Sequence, residues 1–149
     1  MKKIFITAFI LCLSAISFAQ SQDADEVKSV LKQYNKAVGK LDVTGTEKLY
    51  TADSKIYESG GSEGNYAHYL EHHLGPELKE FKSFNFSDYK VEVTVSGEYA
   101  FSTETYIYAI VLAKDGKEIK SKGVATSVLK KTNEGWKIVS IHSSFRKAK

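Results

Sequence analysis

The sequence predicts an α+β domain, because apolar residues recur at helical spacing in the first half of the chain and alternate in the second half. Three candidate helices precede Phe84, and four candidate strands joined by short turns follow it. The chain has 149 residues, of which 42% are hydrophobic and 12% aromatic. That length suits one domain, and the aromatic content is too high for a disordered chain.

The first nineteen residues have the features of an export signal. The chain begins with two lysines, continues with an apolar run at 4–18, and places the small residues Ser17 and Ala19 where signal peptidase needs them. The run is shorter than the roughly 18–20 residues that span a bilayer, which disfavours a membrane anchor. We therefore expect residues 1–19 to be cleaved off. Residues 20–149 would form a single periplasmic or secreted domain that is not embedded in a membrane.

Cleavage would change the charge and the available chemistry of the chain. It would remove Cys12, the single cysteine, and the loss of Lys2 and Lys3 would lower the formal net charge from +3 to +1. The exported chain is therefore expected to lack disulfides, thiol nucleophiles and thiolate metal sites. With a charge near zero and basic residues interspersed with acids, it is not expected to bind nucleic acid.

The first two helices are predicted from apolar spacing and from capping residues. Over Asp23–Val38 the apolar residues recur on one helical face, and acidic residues occupy the first turn. Thr44 and Glu47 match a capping box, which predicts a short second helix through Tyr50.

A short strand and a third helix are expected next. Lys55–Glu58 is the candidate strand, and a glycine-rich turn follows it. The third helix is expected to begin near Asn65. Gly75-Pro76 should kink or restart that helix, because proline lacks the N–H of the previous turn but suits a first helical position.

The second half of the chain predicts an antiparallel sheet. Alternating apolar and polar residues and the hairpin signal Asp115-Gly116 indicate four strands joined by short turns. Their expected ranges are Tyr89–Val95, Tyr99–Ala113, Glu118–Lys130 and Trp136–Phe145.

The last two strands resemble a known superfamily. Segment 123–131 (GVATSVLKK) and segment 135–144 (GWKIVSIHSS) are similar to the ending of the nuclear transport factor 2-like superfamily, and within it to the SnoaL-like branch. The resemblance implies three N-terminal helices packed in a strongly curved antiparallel sheet, which forms a cone open at one end into a pocket. Members often pair as homodimers through the sheet. They include isomerases, dehydratases, polyketide cyclases and pure ligand binders, so the fold does not select the activity.

His142 is the leading candidate for a functional group in that pocket. Strand alternation places Trp136, Ile138, Ser140, His142 and Ser144 on one face. The resemblance implies that the face with the Trp and the His lines the cone. An imidazole among hydroxyls in an apolar pocket suits proton transfer near neutral pH, although a buried structural histidine would also fit.

Two further residues are candidates for catalysis beside His142. Thr126 on the preceding strand is expected to be its hydrogen-bond neighbour, and Tyr106 shares a strand face with Tyr108 and Glu104. A pocket-facing tyrosine can act as an oxyanion donor or general acid, although such residues also serve the core or a dimer interface. The residues expected to contact a ligand are His142, Ser140, Ser144, Trp136, Thr126, Tyr69 and His73.

A histidine cluster on the third helix suggests a metal site. His68 and His72 are four residues apart, as are His73 and Glu77, and such pairs share one face of a helix. Without cysteine the ligands would be nitrogen and oxygen, which suits zinc or another divalent transition metal. One hypothesis is a site of His72, His73, Glu77 and His142. The other is that these histidines lie on the surface or line the pocket without a metal.

The sequence leaves three functions open. The first is an exported domain that binds a small, partly apolar molecule in a histidine-containing pocket. The second is a proton-transfer enzyme of the isomerase, lyase or cyclase type that uses His142. The third is a metal-binding protein that uses the histidine cluster.

Overall fold

The computed structural model describes the backbone of residues 2–148 and the side chains of residues 21–148. The side chains of the predicted signal peptide, residues 1–19, lie outside that part, and its cleavage stays a prediction. Among the helices that the structure describes, none is long and apolar enough to cross a membrane.

The helical part consists of one long helix and a series of short turns. The long helix packs against the sheet through Val27, Leu31 and Val38, which are buried and recur on one of its faces. The segments are α1 (Lys2–Gly39), a 3₁₀ helix (Thr46–Leu49), α2 (Tyr66–Tyr69), a π-helical turn (Leu70–Leu74) and α3 (Gly75–Lys79).

The predicted capping box at Thr44 is wrong. The short helix is a single 3₁₀ turn whose N-cap is Gly45, in a left-handed conformation with φ of 76° and without a side-chain cap. The hydroxyl of Thr46, the first residue of this turn, contacts the Val43 carbonyl at 2.6 Å and the Tyr66 hydroxyl at 2.7 Å. The turn ends at Leu49, and a strand begins at the next residue, Tyr50.

The third predicted helix is a composite of α2, the π-helical turn and α3. Asn65 caps its start, since the Asn65 side chain accepts a hydrogen bond from the His68 N–H at 2.9 Å. Gly75 closes the π-helical turn by donating to the Leu70 carbonyl. A Cβ at position 75 would lie 2.5 Å from that carbonyl oxygen, so the turn requires glycine there. Pro76 lies in the first turn of α3, as expected of a proline where a helix restarts.

Six strands form one curved sheet in the order β2-β1-β6-β5-β4-β3. Neighbours are antiparallel except β1 and β6, which are parallel. The α+β class and the predicted hairpin strands are confirmed, and β3 begins earlier than expected. The strands are β1 (Tyr50–Glu58), β2 (Gly61–Ser62), β3 (Phe81–Ser96), β4 (Tyr99–Leu112), β5 (Glu118–Thr132) and β6 (Gly135–Lys147).

A β-bulge in β3 changes which residues face the helices. Ser87 pairs with Ile107 and Lys90 pairs with Thr105, so two residues of β3 lie opposite one residue of β4. Asp88 adopts a positive φ of 51° at this point. The extra residue reverses the alternation and turns Tyr89 toward the inner face of the sheet.

A second bulge, in β6, changes which residues of the last strand face inward, contrary to the prediction. Ile138 pairs with Leu129, but Ser140 pairs with Val128, which leaves one extra residue between them in β6. Before the bulge Trp136 and Ile138 are buried. Beyond it the inward positions are odd-numbered, so His142 lies on the outer face and is exposed.

The prediction that Ser140, His142 and Ser144 line the cone together is therefore wrong. Simple alternation holds only along a strand without an extra residue, and the bulge inserts one. Trp136 is buried but belongs to the side of the sheet near the start of α1, where its indole N–H donates to Asp23 at 3.2 Å.

Candidate functional site

A cavity of about 370 Å³ lies between the inner face of the sheet and the helices. That volume lies in the usual range for small-molecule sites. Its lining is mostly aromatic and aliphatic, with a few carboxylates and hydroxyls. The aromatic residues are Tyr34, Tyr50, Tyr69, Phe81, Phe84, Phe86, Tyr106, Tyr108 and Phe145.

The aromatic walls are built from side chains of adjacent strands that pack against one another. The ring of Phe84 stacks on that of Tyr108, with centroids 5.4 Å apart. The ring of Phe86 meets that of Tyr106 edge to face at 5.3 Å. Such ring pairs stabilise one another beyond their simple burial, so they hold the wall in a defined shape.

Glu104 is the most deeply buried charged group of the cavity lining, with 3% of the residue exposed. Its Oε2 accepts hydrogen bonds from the Asn35 amide at 2.9 Å and the Tyr89 hydroxyl at 2.6 Å. Burial raises the pKa of Glu104 above its ordinary value, and the two donors partly oppose that rise. The carboxyl can therefore exchange a proton at a higher pH than an exposed glutamate.

Tyr106 lies on the same strand face as Glu104, and its ring rests on Gly123 of β5. A Cβ at position 123 would lie 2.2 Å from the ring, so the Tyr106 side chain can take this position only because residue 123 is glycine. Burial raises the pKa of Tyr106, and the nearby Glu104 charge raises it further. The phenol therefore stays protonated and available as a hydrogen-bond donor near neutral pH.

A second polar group forms where the π-helical turn and α3 meet β1 and the segment that follows β2. His73 Nδ1 lies 3.1 Å from Glu63, and its Nε2 lies 3.4 Å from Glu77 and 4.0 Å from Glu58. The Tyr69 hydroxyl donates to Glu58 at 2.9 Å. Partial burial works against a charged imidazole, but the surrounding glutamates outweigh it and raise the pKa of His73. Glu58 and Glu77 line the cavity, and His73 packs beside them.

Of the residues expected to contact a ligand, Tyr69 lines the cavity and His73 contacts two carboxylates of its wall. Tyr106, predicted as a catalytic group, also lines it. The other predicted residues do not appear in the lining: Trp136, Ser140, Ser144, Thr126 and His142.

Thr126 and His142 pair directly across β5 and β6, and the hydrogen bond expected between their side chains stays a prediction. Both are exposed on the outer face of the sheet. There the imidazole packs edge to face against the ring of Tyr57, with centroids 6.4 Å apart. The pair therefore cannot touch a molecule held in the cavity.

The histidines predicted to hold a metal are not brought together. His72 is exposed, 3.7 Å from Glu71, while His73 faces Glu58, Glu63 and Glu77. Within the part of the chain that the structure describes, no three His, Cys, Asp or Glu side chains are placed to hold one metal ion. The metal site stays a prediction.

Sequence reasoning missed Glu104, Asn35 and Glu58 as cavity residues. Glu104 interrupts the inward series of β4 with a charge, and Asn35 stands on the face of α1 that carries Leu31 and Val38. A polar residue at an inward position is the signal that points to a functional or structural role for each.

The comparisons with known proteins agree with the observed fold. A SnoaL-like domain model matches residues 27–147. The chain belongs to the SnoaL-like family. Among curated proteins, no relative of the chain was found.

Solved structures of the nuclear transport factor 2-like superfamily are similar to this SnoaL-like chain. One superfamily member from Salmonella enterica is 21% identical, with 87% of this chain and 94% of that chain covered and a TM-score of 0.75. A protein from Streptomyces avermitilis, named for a proposed dehydratase activity, is 20% identical over 87% and 99%, with a TM-score of 0.74. One from Shewanella frigidimarina, named for a proposed ketosteroid isomerase activity, is 27% identical over 80% and 94%, with a TM-score of 0.68.

The contact between Gly123 and Tyr106 can be tested by a double-mutant cycle. We expect Gly123→Ala to destabilise the protein by about 1–3 kcal/mol, because the new methyl group displaces the ring. In a Tyr106→Ala background the same substitution should cost far less, since the ring is gone. Urea denaturation of the four proteins measures both costs. Equal costs in the two backgrounds would contradict the contact.

Proposed function

We propose that this SnoaL-like protein is exported and binds a small, partly apolar molecule in its cone cavity, with Glu104 as the principal polar contact. The observation that carries the proposal is an aromatic-lined cavity with a buried carboxylate. An apolar ligand gains free energy by leaving water for such walls, and a few fixed polar groups set its orientation.

The proposal replaces His142 with Glu104 as the main polar group. The His142 side chain is exposed on the outer face of the sheet, whereas the Glu104 carboxyl is oriented by hydrogen-bond donors from α1 and β3. A carboxyl held by an amide and a phenol keeps a fixed direction, which favours specific recognition.

Filling the cavity should abolish binding. Ser143 lines the cavity, whereas the adjacent Ser144 is exposed on the outer face. We expect Ser143→Trp to remove the thermal shifts that a library of aromatic metabolites produces in the unaltered protein. Ser144→Trp should retain them because its indole lies outside. The proposal fails if both variants bind the same compounds as the unaltered protein.

A proton-transfer enzyme is the second candidate, and the raised pKa of the buried Glu104 favours it. The carboxylate form would take a proton from a carbon acid in the cavity, and the Tyr106 phenol would stabilise the oxyanion that forms. The proposed activities named for two similar structures, dehydratase and ketosteroid isomerase, are of this general type.

The pH profile of turnover tests this second candidate. With a panel of β,γ-unsaturated ketones, absorbance reports the conjugated product. The rate should rise with pH through a pKa above 4.5, the ordinary value for glutamate, because only ionised Glu104 can accept the proton. Glu104→Gln should lower the rate by about 10²-fold or more, while His142→Ala leaves it unchanged. Equal loss in the two variants would refute the assignment.

We also propose that two copies pair through the outer face of the sheet. Four large apolar side chains are exposed on that face: Tyr57 (41%), Tyr99 (40%), Phe101 (50%) and Val124 (44%). A continuous face with such residues favours association, and the superfamily resemblance points the same way.

Sedimentation velocity tests the pairing. Phe101→Glu should convert a dimer to monomer, because the charge would be buried without a partner. Asn133→Glu, in the exposed turn between β5 and β6, is the matched control and should sediment as the unaltered protein does. A monomeric unaltered protein would rule the pairing out.

A further inference from the structure

We infer that the ligand of the cavity is a cation, an apolar or aromatic amine or ammonium compound. The inference deepens the proposed binding function and rests on it. Three features of the cavity carry it: the sign of the charges in its lining, an unpaired oxygen of Glu104, and the aromatic walls.

The charged residues of the cavity lining all have the same sign. Glu58, Glu77 and Glu104 line the cavity, and among its described lining residues there is no Lys, Arg or His. An anionic molecule would leave water without meeting an opposite charge, which is costly in a site of low polarity. A cation would meet carboxylates, so the lining selects by charge.

One oxygen of the buried Glu104 carboxyl has no hydrogen-bond partner among the described side chains. The Asn35 amide and the Tyr89 hydroxyl both donate to Oε2, and no donor from residues 21–148 reaches Oε1. The residue lines the cavity while only 3% of it is exposed. An acceptor oxygen of a cavity-lining carboxyl without a protein donor favours a ligand that brings one, and an ammonium N–H forms a charge-assisted bond with a carboxylate.

The walls around Glu104 suit an organic cation. Tyr106 is two positions from Glu104 on the inward face of β4, and Phe86 packs on the Tyr106 ring. The faces of aromatic rings attract cations, and the attraction is stronger where water is excluded. An amine with an apolar body would therefore satisfy the carboxylate and the rings at once.

The group around His73 does not reverse this charge. His73 is the basic residue in contact with Glu58, Glu63 and Glu77, so a protonated imidazole offsets one of three carboxylates. Glu104 has no basic side chain among its hydrogen-bond partners. The cavity thus stays acidic whether or not His73 is protonated.

Three probes of similar size separate the charge from the apolar contact: 2-phenylethylamine, 2-phenylethanol and 3-phenylpropanoate. Their affinities for the full exported chain are measured by calorimetric titration at neutral pH. We expect the amine to bind at least about tenfold more tightly than the alcohol, and the carboxylate to bind least.

Variants locate the effect in the cavity. Glu104→Gln should weaken amine binding by about tenfold or more and weaken alcohol binding much less, so that the preference for the amine falls. Glu98→Gln makes the same chemical change at an exposed position paired with Lys130, and it should alter neither affinity. If Glu104→Gln does not fold, Glu77→Gln, half-exposed at the cavity wall, should lower the preference for the amine in the same direction.

The outcomes distinguish selection of cations from the proposed binding of small molecules in the cavity. If amine and alcohol bind equally, or if the carboxylate binds best, the cavity binds ligands but does not select cations, and the inference is overturned. If none of the three binds, the inference falls together with cavity binding of small aromatic molecules. A preference for the amine that survives both Glu104→Gln and Glu77→Gln would also overturn it.

Discussion

Burial of the Glu104 carboxyl places demands on three parts of the fold at once. A carboxyl removed from water costs several kcal/mol unless it is neutralised or hydrogen-bonded. Here its donors are Asn35 from α1 and Tyr89 from β3, both bound to one oxygen. Tyr89 points inward because the bulge beside it reverses the alternation of β3. The docking of α1 and the irregularity of β3 therefore serve the same buried group.

The inner face of the sheet is divided between a packed core and an open cavity. Leu129 and Ile138 are fully buried and, with Val27 and Leu31 of α1, form the closed part of the core. Toward the other end the strands carry large rings and carboxylates, and α1 no longer fills the space between them. One continuous sheet thus provides the stability of the domain at one end and an unfilled volume at the other.

Much of the architecture was predictable from the sequence, because it depends on local patterns. Alternation and the Asp115-Gly116 turn defined the hairpin strands, and the ending of the chain identified the family. The site was less predictable. Asn35 and Glu104 are 69 positions apart, and no spacing rule relates them. The side on which His142 lies depends on an extra residue in β6 that has no proline or glycine to mark it.

The bulge in β6 also affects how this protein can be compared with its relatives. Two chains can match letter for letter over this strand and still present different residues to the cavity, if only one of them has the extra residue in its pairing. Matching positions then correspond in sequence but not in space. The loss of one residue near Val139 would exchange the serine and histidine of 142–143 between the two faces of the sheet, without any substitution. In this strand, insertion and deletion therefore offer evolution a direct route to new pocket chemistry.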